Sequence, residues 1–482
     1  MTLRTWVAWP MAWLVAGSGC AVDPSLEAGP ASHRDEVVVR VPVDEPADVA
    51  ALDALGDRWT EQVVDHVDLR VDRARVPAGA TVLIDDLDAA VAASMASGDP
   101  GDPFADWLPL DALDAELDAL ADAPFARIVT LGQSVEGRPI RGLKLAVDAG
   151  APSDDLGILV VGGQHAREWI GPSAALYVAD ALVTGYGVDP AITAFLDRYR
   201  VVVVPVMNPD GYVHTWTTDR FWRKNRRDNG DGSFGVDLNR NWDAAWDGVG
   251  ADRDPASLNY QGPSAFSEPE TRAIADWLVA HPMVGWHLDL HNSGQVALHP
   301  FGFTPLDSPD EAALAAATTD AAAAMTAVHG TDYRSGSFNE ALYPAAGVAI
   351  DWSYGAAGLS SALFELRDRG QYGFLLPTDQ IRPTGEEALA GLLALAGRPE
   401  RPRLALAVDG PVTAGSAAEA RLHRVEAGAP VELYTSTAGY GVTVLPDGLQ
   451  LGLADATLAG VDVGSDRGRA GVGFTAPDAP TV

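Results

Sequence analysis

A chain of 482 residues is too long for one compact unit, and its length suggests about three domains. With 47% hydrophobic and only 21% charged residues it can bury substantial cores, which excludes a disordered protein. Its 33 basic and 67 acidic residues give a formal charge of −34 at pH 7, a field that repels phosphate backbones and anionic lipid surfaces, so nucleic acid is not an expected partner.

The first residues, "MTLR" followed by the apolar "TWVAWPMAWLVAGSG" and then "CAVDP", have the charged start, apolar run and small-residue end of an export signal. The run is too short for a spanning helix. "AGSGC" resembles a bacterial lipoprotein signal, although Gly17 stands where Leu or Val is commonest. Cys20, the one cysteine, is then expected to carry lipid, and an internal disulfide is excluded. The expected location is exported, either lipid-anchored at the cell envelope or secreted.

After the signal (1–20) and a flexible linker (21–35), "EVVVRVPV" (36–43) reads as a strand and "ADVAALDALGDRW" (47–59) as a helix. "VVDHVDLRV" and "ATVLIDD" read as strands and "DLDAAVAASMAS" as a second helix, giving an α+β module over 36–98. A Gly-, Asp- and Pro-rich linker (99–107) leads into the largest domain, 108–396. There a helix at 110–123 and a strand at 137–147 precede strands near 157–162, 201–206 and 285–291. These alternate with helices near 170–183, 268–280, 310–328 and 384–396. The fold class is therefore α/β, with a mixed, largely parallel twisted sheet flanked by helices. After the Pro- and charge-rich "GRPERPR", the segment 404–482 alternates Val, Thr and Gly without a helical period and reads as a small β module.

"QHAREWIG" (164–171) puts His165 and Glu168 three positions apart, just after an apolar run and a Gly-Gly turn. That places both on the lip of a sheet, where open α/β sheets bind ligands. A catalytic zinc needs three protein ligands and an open position. "WHLDLHNSGQ" (286–295) offers the third. As a strand it points Trp286, Leu288 and Leu290 one way and His287, Asp289 and His291 the other. His291 lies at its C-terminal end; His287, about 13 Å back along the strand, is read as structural. His299 has no obvious partner in the sequence.

"HAREW", "FWRKNRR", "GVDLNRNW", "LHNSGQ", "YPAAGVAIDWSYG" and "FELRDRGQYGFLLPTDQI" occur in the order and at roughly the spacing of zinc metallocarboxypeptidases of the carboxypeptidase A/B type. The resemblance covers about 105–395. It implies one Zn2+ held by His165, Glu168 and His291, the third ligand 123 positions after the second. It implies further that Asp237 holds the other ring nitrogen of His165. Glu365, ending the apolar "ALF", is the general base for the attacking water. Arg223 takes the position that stabilises the oxyanion, a role that position alone would not single out among the four basic residues of 223–227. The substrate's terminal carboxylate falls to Arg240 and Asn239, with Tyr343 closing over the bound residue. Arg167 contacts the substrate further upstream.

For the C-terminal side chain, Ile350 stands where basic-specific relatives carry an aspartate, which favours apolar or aromatic residues; Leu298, Gly302, Ala345 and Leu363 resemble other wall positions. Asp289 is a departure, because a carboxylate at that wall position could admit Lys or Arg. "HNS" at 291–293 lacks the aromatic found two residues after the third ligand in animal enzymes. "DNGDG" (228–232) has no following bidentate Glu and reads as a turn, not a calcium loop. The N-terminal module resembles the family's propeptide, which covers the cleft. No Lys or Arg occurs between Arg75 and Arg127, so a trypsin-like protease could not cut the linker.

The expected activity is release of single residues from peptides or proteins with a free C-terminus, by a monomer. Two other readings remain: a zinc peptidase trimming peptidoglycan stem peptides, and a non-catalytic surface binding protein. Arg240 and Tyr343 favour the first. The presence of His165, Glu168, His291 and Glu365 speaks against the last.

Overall fold

The computed structural model describes residues 32–43, 52, 54–60, 66–95, 101–147 and 156–397, and beyond these the backbone of seven strands between 405 and 475. The export signal and Cys20 lie outside the described residues, as does most of the segment 21–35. Among the described residues no helix is long and apolar enough to cross a membrane.

Residues 36–95 form a four-stranded antiparallel sheet, with β1 (Glu36–Pro42) between β3 (His66–Asp72) and β4 (Thr81–Ile84), β2 (Asp57–Arg58) outside β3, and helix α1 (Leu87–Ser94) following. Alternation along β1 divides its side chains. Val37, Val39 and Val41 pack with Val67, Leu69 and Val71, whereas Val38 joins Trp59, Leu87, Phe221, Phe374 and Leu375. The second cluster ties the module to the rest of the chain. Trp59 stands 5.3 Å from each of the rings of Phe221 and Phe374, and Gly373, at φ +56°, leaves the space its indole fills.

The helix expected over 47–59 does not run to its end: Asp57 and Arg58 pair with Arg70 and Leu69 as β2. Pairing as an edge strand beside β3 has overridden local helical propensity there. Residues 47–51 and 53 of that expected helix lie outside the described residues.

The described parts of the two linkers, 32–35 and 101–107, are packed rather than loose. Ser32 Oγ and the His33 amide both donate to Asp88, and Phe104 and Trp107 are buried in the main core. Helix α2 (Leu110–Leu120) then leads to strands β5 (Ala126–Gln133), β6 (Pro139–Leu145), β7 (Leu156–Gly162), β8 (Tyr199–Val204), β9 (Val284–His291), β10 (Val296–His299), β11 (Arg334–Ser337) and β12 (Ser360–Glu365). Their order in one eight-stranded sheet is β11-β10-β12-β9-β7-β8-β6-β5. The central run β12-β9-β7-β8 is parallel, and β6 and β5 on one side are antiparallel.

Helices α3 (Ile170–Gly185), α4 (Pro190–Arg198), α5 (Pro209–Thr217), α6 (Pro269–Ala280), α7 (Glu311–His329), α8 (Phe338–Ala341), α9 (Ala349–Gly355) and α10 (Ile381–Ala396) flank it. One face of the sheet packs Ile158, Val160, Trp286, Leu288 and Leu290 against α3, α7 and α10. The other packs Leu159 and Val161 against α6 and α9. β9 alternates between these faces as its sequence predicts.

Because β7, β9 and β12 run parallel, their C-terminal ends share one sheet edge, and the loop after β7 and the ends of β9 and β12, which carry the candidate chemistry, meet there. Beyond Gly397, the strands pair antiparallel: Ala417–His423 lies between Ala405–Val408 and Arg469–Thr475, Pro430–Thr435 pairs with Thr457–Val463, and Thr443–Val444 with Gln450–Leu451.

Candidate metal centre

His165 follows β7 through a sharp turn at Gly162 and Gly163. Gly163 has φ +64°, and a Cβ on Gly162 would fall 2.9 Å from the carbonyl oxygens of Gly171 and Pro205, so only glycines let the chain fold back onto α3. That turn brings His165 and Glu168 under the end of β9. The ligand atoms of His165, Glu168 and His291 lie within 4.8 Å of one another, all buried.

The tautomers follow from the carboxylates around them. His165 Nε2 is 3.1 Å from Asp237 Oδ1 and His291 Nε2 is 2.9 Å from Asp289 Oδ2, so each imidazole carries its proton on Nε2 and directs the Nδ1 lone pair inward. The two Nδ1 atoms are 3.1 Å apart, with Glu168 oxygens 2.8 Å and 3.0 Å from them. Four acceptor atoms cannot satisfy one another; a cation between them can. Two nitrogens on a tetrahedral zinc at ~2.0–2.1 Å stand about 3.3 Å apart, close to the spacing found. The charge agrees. Burial by itself disfavours a proton on His291, yet Asp289 and Glu168 raise its pKa well above the ordinary histidine value, the mark of surplus negative charge. Glu168 is likewise lowered, because His165 and His291 outweigh its desolvation.

Asp237 caps the single helical turn Leu238–Arg240 and is fully buried. Its Oδ1 faces His165 and accepts from the Asn239 amide; its Oδ2 accepts from Nε and Nη2 of Arg223 at 3.1 Å and 2.9 Å. Desolvation would raise its pKa, but Arg223 and His165 hold it well below the usual carboxylate value. Arg223 Nη1 is also 3.7 Å from Glu168 Oε1, so the guanidinium borders the metal group. Glu365 ends β12 opposite His291 in register, and its Cβ lies 3.3 Å from where a Cβ on Gly294 would be.

A cleft of about 720 Å³ runs along this edge, lined by Arg167, Arg223, Arg240 and Tyr343 from the large domain and by Asp57 and Arg58 from the N-terminal sheet. Arg240 is 2% exposed and aimed by its own hydrogen bonds: Nε donates to Gly250 O, Nη1 to Asn239 O and Nη2 to Tyr343 Oη at 3.3 Å. Asn239 Oδ1 accepts from the Ala349 amide. Arg167 is already engaged, its Nη1 2.6 Å from Asp57 Oδ2 and its guanidinium 4.1 Å from the centre of the Phe374 ring. Arg58 lies over the Tyr343 ring at 5.5 Å.

Ile350 is fully buried in a cluster with Leu298, Ala345 and Leu363. Asp289 shares the sheet face of Leu363 but its carboxylate turns to His291 and to Gln164, whose Nε2 donates to Oδ2 at 2.7 Å. Of the two other histidines named from the sequence, His287 bonds Ser353 Oγ and burial pushes its pKa down to about 4, while His299 pairs with Glu311 and Thr318. In the 228–232 turn, Asp228 and Asp231 accept from backbone amides of Gly230 and Ser233. Asp57, Gln164 and Trp242 enter the site's network without having been singled out in the sequence. Gln164 adjoins His165, but nothing local marks Asp57.

A family model described as zinc carboxypeptidase matches residues 113–391, and the chain belongs to that family. Rat (Rattus norvegicus) carboxypeptidase A2 is 42% identical over 265 residues, 55% of this chain and 63% of that one, so the match spans less than two thirds of the relative. Carboxypeptidase B of Astacus astacus is 43% identical over 293 residues, 59% of this chain and 94% of that one. Among solved structures, thrombin activatable fibrinolysis inhibitor (TAFI) superposes with a TM-score of 0.69 at 28% identity, covering 75% of this chain and 98% of that one. Carboxypeptidase A from Helicoverpa armigera gives 0.66 at 28% identity with the same coverage.

Proposed function

We propose that the protein is a zinc-dependent exopeptidase that hydrolyses the last peptide bond of peptides with a free C-terminus. The observation that carries this reading is one cleft lined both by Arg223, which borders the His165–Glu168–His291 group, and by the Arg240–Tyr343 pair. Bound there, zinc would supply a Lewis acid that polarises the carbonyl and lowers the pKa of water. Arg240 takes the substrate's α-carboxylate through its planar fork and Asn239 adds a hydrogen bond. Tyr343 closes over the terminal residue. Arg223, oriented by Asp237, stabilises charge developing on the scissile oxygen. Glu365 accepts the water's proton and passes it to the leaving amine.

The preferred C-terminal residue is apolar or aromatic, a reading supported by the hydrocarbon cluster that Ile350 forms with Leu298, Ala345 and Leu363. Residues 36–98 act as a propeptide in this reading. Asp57 occupies the arginine that would hold the upstream substrate, and Arg58 covers Tyr343. Activation uses a protease that does not require Lys or Arg, since none lies between Arg75 and Arg127. Export, with a lipid anchor on Cys20, rests on the first twenty residues alone.

The test is release of C-terminal residues from peptides ending in Phe, Leu, Lys, Arg or Glu by protein freed of residues 1–103, with and without chelator. Chelator-sensitive release that disappears in Glu365→Gln is expected. Zinc-loaded protein that releases nothing from any peptide would overturn the proposal.

A further inference from the structure

Asp289 is fully buried on the face of β9 that also carries His291, between Val161 of β7 and Leu363 of β12. Its Oδ2 receives two donors, Gln164 Nε2 at 2.7 Å and His291 Nε2 at 2.9 Å. The direction of the first bond is determined by a third residue. Trp242 Nε1 sits 2.9 Å from Gln164 Oε1, and an indole N–H can only donate, so Oε1 accepts and Nε2 must donate towards Asp289. The carboxylate is then an acceptor for both neighbours, which leaves His291 protonated on Nε2 and its Nδ1 lone pair turned to Glu168 and His165.

We infer that Asp289 is a positioning residue for the third metal ligand, fixing the tautomer and ring orientation of His291 as Asp237 does for His165. The inference rests on the zinc reading above and reassigns the carboxylate from side-chain selection to metal holding. A chain Trp242–Gln164–Asp289–His291 braces one ligand, and Arg223–Asp237–His165 braces the other. Carboxylates placed in this way raise ligand basicity and restrict ring rotation, and their loss costs roughly 10–100-fold in metal affinity.

The experiment measures zinc affinity of the intact chain by competition with a chromogenic chelator, for wild type, Asp289→Asn, Asp289→Ala and Trp242→Phe. The visible absorption of each cobalt-substituted protein is recorded alongside. We expect zinc binding to weaken roughly 10–100-fold in both Asp289 variants and less in Trp242→Phe. The cobalt bands should shift in Asp289→Asn, which keeps the volume and removes the charge; a merely structural role would leave them in place. The Phe-to-Lys ratio of residues released by the same proteins once freed of residues 1–103 should change by less than about threefold, since an engaged carboxylate does not select between them. Unchanged zinc affinity and cobalt spectrum in Asp289→Asn, with that ratio rising tenfold or more, would return Asp289 to the pocket and overturn the inference alone. Wild-type protein that binds no zinc would overturn both it and the zinc reading.

Discussion

Asp57, on the two-residue edge strand of the N-terminal sheet, places Oδ2 2.6 Å from Nη1 of Arg167, which lies between two metal-ligand candidates in sequence. Both side chains are buried, and Arg70 adds a second cation 3.3 Å from the same carboxylate oxygen. Burial opposes the charge on Asp57, but the two guanidinium groups outweigh it and keep the carboxyl pKa below its ordinary value. Breaking a buried pair from one side leaves an uncompensated charge and costs about 3–5 kcal/mol. Asp57→Ala should therefore loosen the module, and the intact variant should cleave a short peptide at least tenfold faster than the intact wild type. Equal rates would mean that this pair does not guard the cleft.

Glu365→Gln should lower kcat by roughly 10²–10⁴, the usual contribution of a positioned acid–base group. Zinc affinity and the thermal midpoint should stay near wild type, because the substitution keeps the shape of the side chain. A variant that retains a tenth of the activity would remove Glu365 from the proton transfer.

Arg240 is the cleft arginine held against Tyr343, and a lysine cannot reproduce its planar, bidentate contact with a carboxylate. Arg240→Lys should lower kcat/KM by about 30-fold or more, corresponding to 2 kcal/mol and upward for truncating a buried charge pair. The same variant should lose the preference of wild type for a free C-terminus over a C-terminal amide. Preference retained at full strength would locate carboxylate recognition elsewhere.

Glu270, on the buried side of α6, accepts from the Val135 amide at 3.0 Å and from Asn225 Nδ2 at 3.2 Å, and burial pushes its pKa up to about 7. A raised carboxyl pKa means that between about pH 4.5 and 7 the folded chain keeps a proton the unfolded chain has released. The stability linked to this proton is complete at the acid end and falls as pH rises through 7, by roughly 3 kcal/mol in all. Denaturant midpoints of wild type and Glu270→Gln at pH 5 and pH 8 check this. The wild type should lose stability relative to the variant at the higher pH, and parallel profiles would contradict it.

Removing metal should affect folding as well as catalysis. A ligand at a thousand times its Kd stabilises by about 4 kcal/mol, so chelated protein should melt several degrees lower and recover on adding zinc. A midpoint indifferent to chelator would argue against a tightly held ion.

Much of the metal group is legible in the amino-acid order because its determinants are local. His165 and Glu168 are three apart beside a Gly-Gly turn, and strand alternation assigns His291 to the face opposite Trp286, Leu288 and Leu290. The same periodicity marks α2, α3, α6, α7 and α10 to within three residues at each end, whereas α4, α5, α8 and α9 are not among the helices it predicts. Short strands such as β10 and β11, at four residues each, leave no comparable trace, because their pairing partners are remote.

Periodicity reports which way a side chain points, not what it meets there. Alternation correctly put Asp289 on the face of Leu363 and His291, yet choosing between the pocket and the histidine depends on a rotamer held by Gln164, 125 positions away. Likewise "GDRW" reads as the end of a helix, and only pairing with Arg70 and Leu69 draws Asp57 into a strand and carries it to Arg167, 110 positions on. The sequence by itself carried the layered α/β class in its burial pattern and brought forward His165, Glu168 and His291 as candidates, while their grouping as one ligand set came from the resemblance to zinc carboxypeptidases. Tertiary structure decided which carboxylate serves which cation, since that depends on distances between segments whose separation no local pattern encodes.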